Sequence, residues 1–161
     1  MVDLKKQGKA RFIGITTHGF CDEAVKAAAD TGIDDLAAAA YNFKNEKRKE
    51  LDESIDYAVK SGMGIVAIKT TAGAFWDKDG KVPINTHAAI KWVLNNENIT
   101  TVVFGMTTFD ELWGNLTLLN DIRLTDQELK DLKIASNKSG PGLYCQQCHE
   151  RISQCRHGLD E

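Results

Sequence analysis

The chain has 161 residues, 42% of them hydrophobic, and a formal net charge of −3. That is apolar material for one globular core, and the mild acidity argues against a nucleic-acid-binding surface. No apolar run approaches the roughly 20 residues that span a bilayer, and the opening residues lack the apolar stretch of a secretion signal, so a cytoplasmic protein without membrane or nucleic-acid partners is expected.

Short β-branched runs alternate with longer helical patterns. Arg11 to Thr16 reads as a strand, and Asp22 to Thr31 as a helix stopped by Gly32. Asp35 to Ala40 reads as a weaker strand, because alanine has poor strand propensity. Glu46 to Ser61 reads as a helix with Leu51, Ile55, Ala58 and Val59 on one face. Gly64 to Lys69 is the clearest buried strand, and a glycine-containing loop from Ala72 to Gly80 follows. Asn85 or Thr86 caps a helix carrying Ala89, Ile90, Val93 and Leu94 on its inner face. Thr101 to Phe104 reads as a fourth strand and Phe109 to Leu119 as a helix. Thr125 and Glu128 form a capping box that opens a last helix, running to about Asn137. Ser139-Gly-Pro-Gly142 then breaks the chain.

These are four β-then-α units at a spacing of roughly 30 residues, the length of a βαβ repeat. Near-continuous apolar strands between helices imply a parallel sheet covered by helices, an α/β fold. Cys21, alone in its segment, reads as a small, partly buried side chain and not as a nucleophile.

The other three cysteines cluster. Cys145 and Cys148 form a C-x-x-C pair, and Cys155 follows after six residues. A C-x-x-C pair brings two thiolates to one side of a turn, and a third nearby completes a face of a metal centre. Clustered cysteines without a secretion signal favour metal or redox use over disulfides. The run resembles the C-x-x-C-x-x-C-x-x-x-C motif of ferredoxin-type iron–sulfur proteins, with Arg151 where the third cysteine would stand. A [4Fe–4S] cluster then needs a non-cysteine fourth ligand, His149 or His157, or a partner's thiol. A Zn2+ site of three cysteines and one histidine is the alternative, and so is a motif that binds nothing.

Gly8-Lys-Ala-Arg-Phe-Ile-Gly-Ile-Thr-Thr17, Ala40-Tyr-Asn-Phe43, Ala67-Ile-Lys69, and Val103-Phe-Gly-Met-Thr107 followed by Glu111-Leu-x-x-Asn115 resemble the aldo-keto reductases. Together with the cysteine tail they resemble the branch of that family with a ferredoxin-like end. The family's fold is a (β/α)8 TIM barrel, and such barrels need about 250 residues. The resemblance therefore implies half a barrel: strands five to eight in residues 1–139, a C-terminal helix, and a cysteine-rich tail in residues 140–161. It also implies truncation at Glu161, and with it a gene fragment or a split-gene subunit.

The family's catalytic Asp, Tyr, Lys and His come from the first four strands, whose motifs are absent here. No catalytic residue is assigned, and His18, His87, Tyr41 and Lys69 are not promoted to those roles. What the second half of the family contributes is the nicotinamide cofactor site. Thr16 and Thr17 match a Ser-Asn pair that hydrogen-bonds the carboxamide. Lys69 stands where many members stack an aromatic on nicotinamide, and Thr70 and the Gly73 loop pass beside the pyrophosphate. Gly105, Met106 and Thr107 match the loop near the adenosine phosphate, and Asn115 an asparagine that reads adenine. Glu111 occupies a place where some NADPH-preferring members have arginine, and a carboxylate repels a 2′-phosphate at close range, which argues against a strong NADP preference.

The resemblance thus implies an NAD(P)(H)-dependent oxidoreductase that reduces carbonyls by hydride transfer, present without its catalytic half. A second reading is a half-barrel assembly module, which exposes two strand edges and an apolar inner face and pairs with itself or with a missing N-terminal half. A third is an electron-transfer module using the tail cluster.

Overall fold

The computed structural model describes residues 1–77 and 79–136. The cysteine tail, with Cys145, Cys148 and Cys155, and the boundary at 139/140 lie outside the described residues. The described elements are α1 (Val2–Lys6), β1 (Gly14–Thr17), α2 (Cys21–Thr31), β2 (Leu36–Ala40), α3 (Arg48–Lys60), β3 (Gly64–Ile68), α4 (Thr86–Leu94), β4 (Thr101–Val102), α5 (Phe109–Leu118) and α6 (Asp126–Ser136). The four strands form one sheet in the order β1-β2-β3-β4, every pair parallel. This is the expected α/β arrangement of four parallel units.

Strand alternation sorts the side chains onto two faces. Ala37, Ala39, Ile65 and Ala67 face the helices and are fully buried. Val25, Ala28, Leu51, Ile55 and Ala58 from α2 and α3 close over them. The small alanines of β2 let two helices approach the sheet together, so burial overrides their poor strand propensity. The opposite face carries Thr16, Leu36, Ala38, Val66 and Ile68, none of them fully buried.

The helix ends follow local chemistry. Gly32 takes the left-handed conformation (φ 62°) that terminates α2. Asn85 is the cap of α4, its side chain accepting from Ala88 N at 3.0 Å. Thr125 and Glu128 form the predicted box at α6. Lys91 pairs with Glu128 at 2.9 Å, and Asn85 donates to Asp131 at 2.9 Å, docking α6 on α4.

The strands are shorter than their sequences suggest. Residues 11–13 precede β1, because Asp35 satisfies this stretch instead: its carboxylate accepts from Ile13 N at 2.9 Å and from Lys5 Nζ. β4 is only two residues long, since Val103 N still reaches Ala67 O but 103 and 104 are not in the ladder. Helix α1, a single short turn-and-a-half at Val2–Lys6, is an addition to the expected elements.

Candidate functional site at the C-terminal rim of the sheet

In parallel β/α folds, ligands bind where strands end and helices begin. Here that rim is made by the segments after β1, β2, β3 and β4. All four described non-glycine residues with positive φ lie on it: Phe20 (50°) after β1, and Lys69 (55°), Ala72 (50°) and Ala74 (66°) after β3. Each such residue costs about 1–3 kcal/mol and persists only where its surroundings hold it.

The loop after β3 shows how it is held. Asn42 Nδ2 donates to Lys69 O at 3.1 Å, and Asn42 Oδ1 accepts from Lys44 N at 3.0 Å. One amide thus ties the ends of β2 and β3 together. Lys44 Nζ donates to Phe75 O at 3.0 Å and lies 4.1 Å from the centre of the Trp76 ring. Burial holds the Lys44 ammonium below the ordinary lysine range. Phe43 packs on Trp76 at 5.4 Å. Within this loop Thr70 is buried, and its Oγ1 has no hydrogen-bond partner among the described residues. An unpaired buried hydroxyl costs about 1–3 kcal/mol.

The predicted carboxamide pair divides. Thr16 is paired with Ala38 in register and shares the inner face, where it is exposed. Thr17 is paired with Ala39 and turns toward the helices. Its Oγ1 donates to Gly19 O at 2.6 Å. The Cys21 thiol donates to Thr17 O at 3.7 Å, and burial pushes its pKa up. Cys21 is buried, beyond the partial burial expected of it.

After β4, Gly105, Met106 and Thr107 form an exposed stretch leading into α5. The Glu111 carboxylate accepts from Thr107 N at 2.6 Å, Thr107 Oγ1 at 3.0 Å and Thr108 N at 3.1 Å. Thr108 Oγ1 accepts in return from Glu111 N, completing a capping box. The amides of Thr107 and Thr108 depress the Glu111 pKa. Glu111 therefore places its negative charge at the N-terminus of α5, a position that otherwise attracts phosphate. Met106 and Asn115 both line a cavity of about 280 Å³ between α4, β4 and α5, together with Phe104, Leu112 and Leu116.

Tyr41, at the end of β2, does not join the rim's open surface. It is buried and stacked on Trp92 at 5.2 Å. Its hydroxyl donates to Asp52 Oδ1 at 2.6 Å and accepts from Asn96 Nδ2 at 2.8 Å. Burial, and then donation to Asp52, raise its pKa well above the ordinary tyrosine value. A tyrosine poised to give up a proton needs the opposite shift. Among the described residues, no cluster of three or more His, Cys, Asp or Glu has metal-holding geometry.

Sequence reasoning missed three contributors: Asn42, Lys44 and Trp76. Asn42 had a readable signal, since an asparagine just after a strand that accepts from the amide two residues on makes an Asx turn. Lys44 and Trp76 stand 32 positions apart in the chain and carry no local signal.

The rim residues fit a nicotinamide dinucleotide in part. Thr16 offers an inward hydroxyl, the loop after β3 a buried unsatisfied hydroxyl and a constrained backbone, and Asn115 an amide in a cavity. Lys69 offers no ring for stacking.

No protein-family model matches the chain, and no curated protein does. Among solved structures it is similar to the aldo-keto reductase AKR11C1 from Bacillus halodurans in its holo form, with TM-score 0.63, 16% identity, and coverage of 86% of this chain and 54% of that one. The apo form of the same protein gives TM-score 0.62 at 16% identity, covering 86% and 55%. The chain thus spans about half the length of the structures it matches. At this identity the likeness establishes the fold: four parallel β/α units equivalent to half of such a barrel.

Proposed function

We propose that this chain is the cofactor-binding half of an aldo-keto reductase-like, nicotinamide-dependent oxidoreductase. The observation that carries the reading is the concentration of left-handed, non-glycine backbone on the rim where such folds bind ligands, beside the orphan hydroxyl of Thr70. When bound, the cofactor supplies a hydride for a carbonyl carbon. This chain's part is to hold and orient it: Thr16 at the carboxamide, the Lys69–Ala74 loop along the pyrophosphate, and Asn115 at the adenine with Gly105, Met106 and Thr107. Lys69 stands near the nicotinamide without stacking on it, and Thr17 supports the first turn through Gly19. Glu111 disfavours a 2′-phosphate, so NADH is preferred to NADPH.

Tyr41 is buried and tied to Asp52 and Asn96, no catalytic residue is assigned to this rim, and alone the chain is expected not to turn over a carbonyl. The tail cysteines Cys145, Cys148 and Cys155 are proposed to hold iron–sulfur or zinc, which elemental analysis after anaerobic purification tests directly.

The deciding experiment is titration of the folded chain with NADH and NADPH, followed by fluorescence. Saturable binding, weakened at least tenfold by Thr16→Val and by Asn115→Ala, is the expected result. A chain that unfolds cooperatively yet binds neither cofactor sinks the proposal. It would leave the second reading, a half-barrel assembly module, which the two open sheet edges and the inner face left partly exposed among the described residues favour.

A further inference from the structure

We propose that a second copy of this chain closes the barrel, with β1 of each copy pairing beside β4 of the other. β1 and β4 are the two edges of the sheet, so among the described residues their outward backbone amides and carbonyls have no strand to bond. A two-fold rotation about an axis running along the strands leaves strand direction unchanged. It therefore sets each β4 parallel to the other copy's β1 and makes eight strands from four. An edge pairing of β4 with its own copy would run antiparallel and leave the inner face open.

Both edges of this one chain suit each other. On the β4 side, Val103, Met106, Phe109, Trp113, Leu116 and Leu119 are exposed. On the β1 side, Met1, Val2, Leu4 and Phe12 are exposed. Large apolar side chains left at both open edges mark an interaction surface. Their charges are opposite. Residues 1–12 hold Lys6, Lys9 and Arg11 against Asp3, beside a Lys5 already paired with Asp35, whereas residues 103–121 hold Asp110 and Glu111, beside an Asp121 already paired with Arg123. The edges attract each other in trans, which favours encounter and register.

The inner face is built for the same closure. Gly14 and Gly64 are the register partners of Leu36 on either side. Leu36 leans over Gly14, where an added Cβ would lie 2.8 Å from Leu36 Cγ. Barrel interiors are filled in layers to which alternate strands contribute. With glycine on β1 and β3, this layer takes its bulk from β2, and the two-fold sets Leu36 of each copy opposite the other across the axis.

The inference rests on the half-barrel reading used above, and the test separates the two. Light scattering with size exclusion should give the wild type at twice the 17.8 kDa chain mass. Phe12→Lys and Val103→Lys alter exposed positions, one at each edge, so each should yield a cooperatively folding monomer. If either fails to fold, Trp113→Glu replaces it on the β4 side and Leu4→Lys on the β1 side. Mixing a β1-edge variant with a β4-edge variant should restore a dimer, because one of its two seams is then wild type. A wild type that is a cooperatively folded monomer, or that grows without limit with concentration, overturns the proposal. So does failure of the mixed variants to dimerise. NADH titration of the same fractions reads the cofactor proposal independently: a dimer that binds none sinks that proposal and leaves this one standing.

Discussion

Replacing Tyr41 with phenylalanine tests whether this tyrosine is a structural tie and not a proton donor. Phenylalanine keeps the ring on Trp92 and removes only the hydroxyl that bridges Asp52 and Asn96. A buried hydrogen bond to a charged group contributes about 1.5–3 kcal/mol. The other bridge partner, Asn96, still lies 3.5 Å from Asp52 Oδ1 and recovers part of the loss. The expected destabilisation at neutral pH is therefore about 2 kcal/mol, or about 4–8 °C in melting temperature for a chain of this size. The pH dependence carries the sharper signature. The folded-state pKa of Tyr41 is raised by burial and by donation to Asp52. Its stabilising contribution is thus complete below the unfolded tyrosine value of about 10 and is lost as pH rises beyond it, by about 1.4 kcal/mol per pH unit. Phenylalanine has no proton to lose. The gap between wild type and Tyr41→Phe should close within about two pH units above 10. Urea unfolding followed by tryptophan fluorescence, from neutral to alkaline pH, measures both quantities. A variant as stable as wild type at neutral pH, or a gap that stays constant with pH, would refute the buried bridge.

Gly14→Ala should destabilise the fold by more than the roughly 1–3 kcal/mol typical of overpacking, because the new Cβ collides with the Leu36 carbonyl oxygen as well as its side chain; a melting temperature within a degree of wild type counts against the register of β1. Asn42→Ala removes two hydrogen bonds and should cost about 1–2 kcal/mol. It should also free Lys69 from its left-handed conformation, read as faster amide exchange across 69–74 and weaker NADH binding; unchanged exchange contradicts the tie. The depressed pKa of Glu111 means that its cap is present above the ordinary carboxylate range and lost as pH falls through it. Protection of the Thr107 and Thr108 amides should disappear on acidification, and Glu111→Gln should weaken it already at neutral pH.

The alternation of β-branched runs with periodic apolar helices was enough to establish a parallel α/β unit. Leu51, Ile55 and Ala58 lie on the face of α3 that their spacing assigns to the core, and Asn85 and Thr125–Glu128 cap the helices they precede. Those features are local: a hydrophobic face or a cap is decided by residues within one or two turns of each other. Strand ends were not legible, because Arg11–Ile13 loses its ladder to the Asp35 carboxylate and β4 to the absence of a further neighbour. The rim was only half legible. Thr16 and Thr17 end β1, Lys69 and Thr70 follow β3 and Gly105 to Thr107 follow β4, but the partners that hold this rim come from elsewhere. Lys69 is held by an asparagine 27 positions away, and Tyr41 is bridged to one 55 positions away. Alternation alone set Thr16 and Thr17 on opposite faces, yet only the assembled sheet decided which face is the open interior. Sequence periodicity records how much of an element must be buried, while the identity of what buries it depends on contacts that form when distant segments meet.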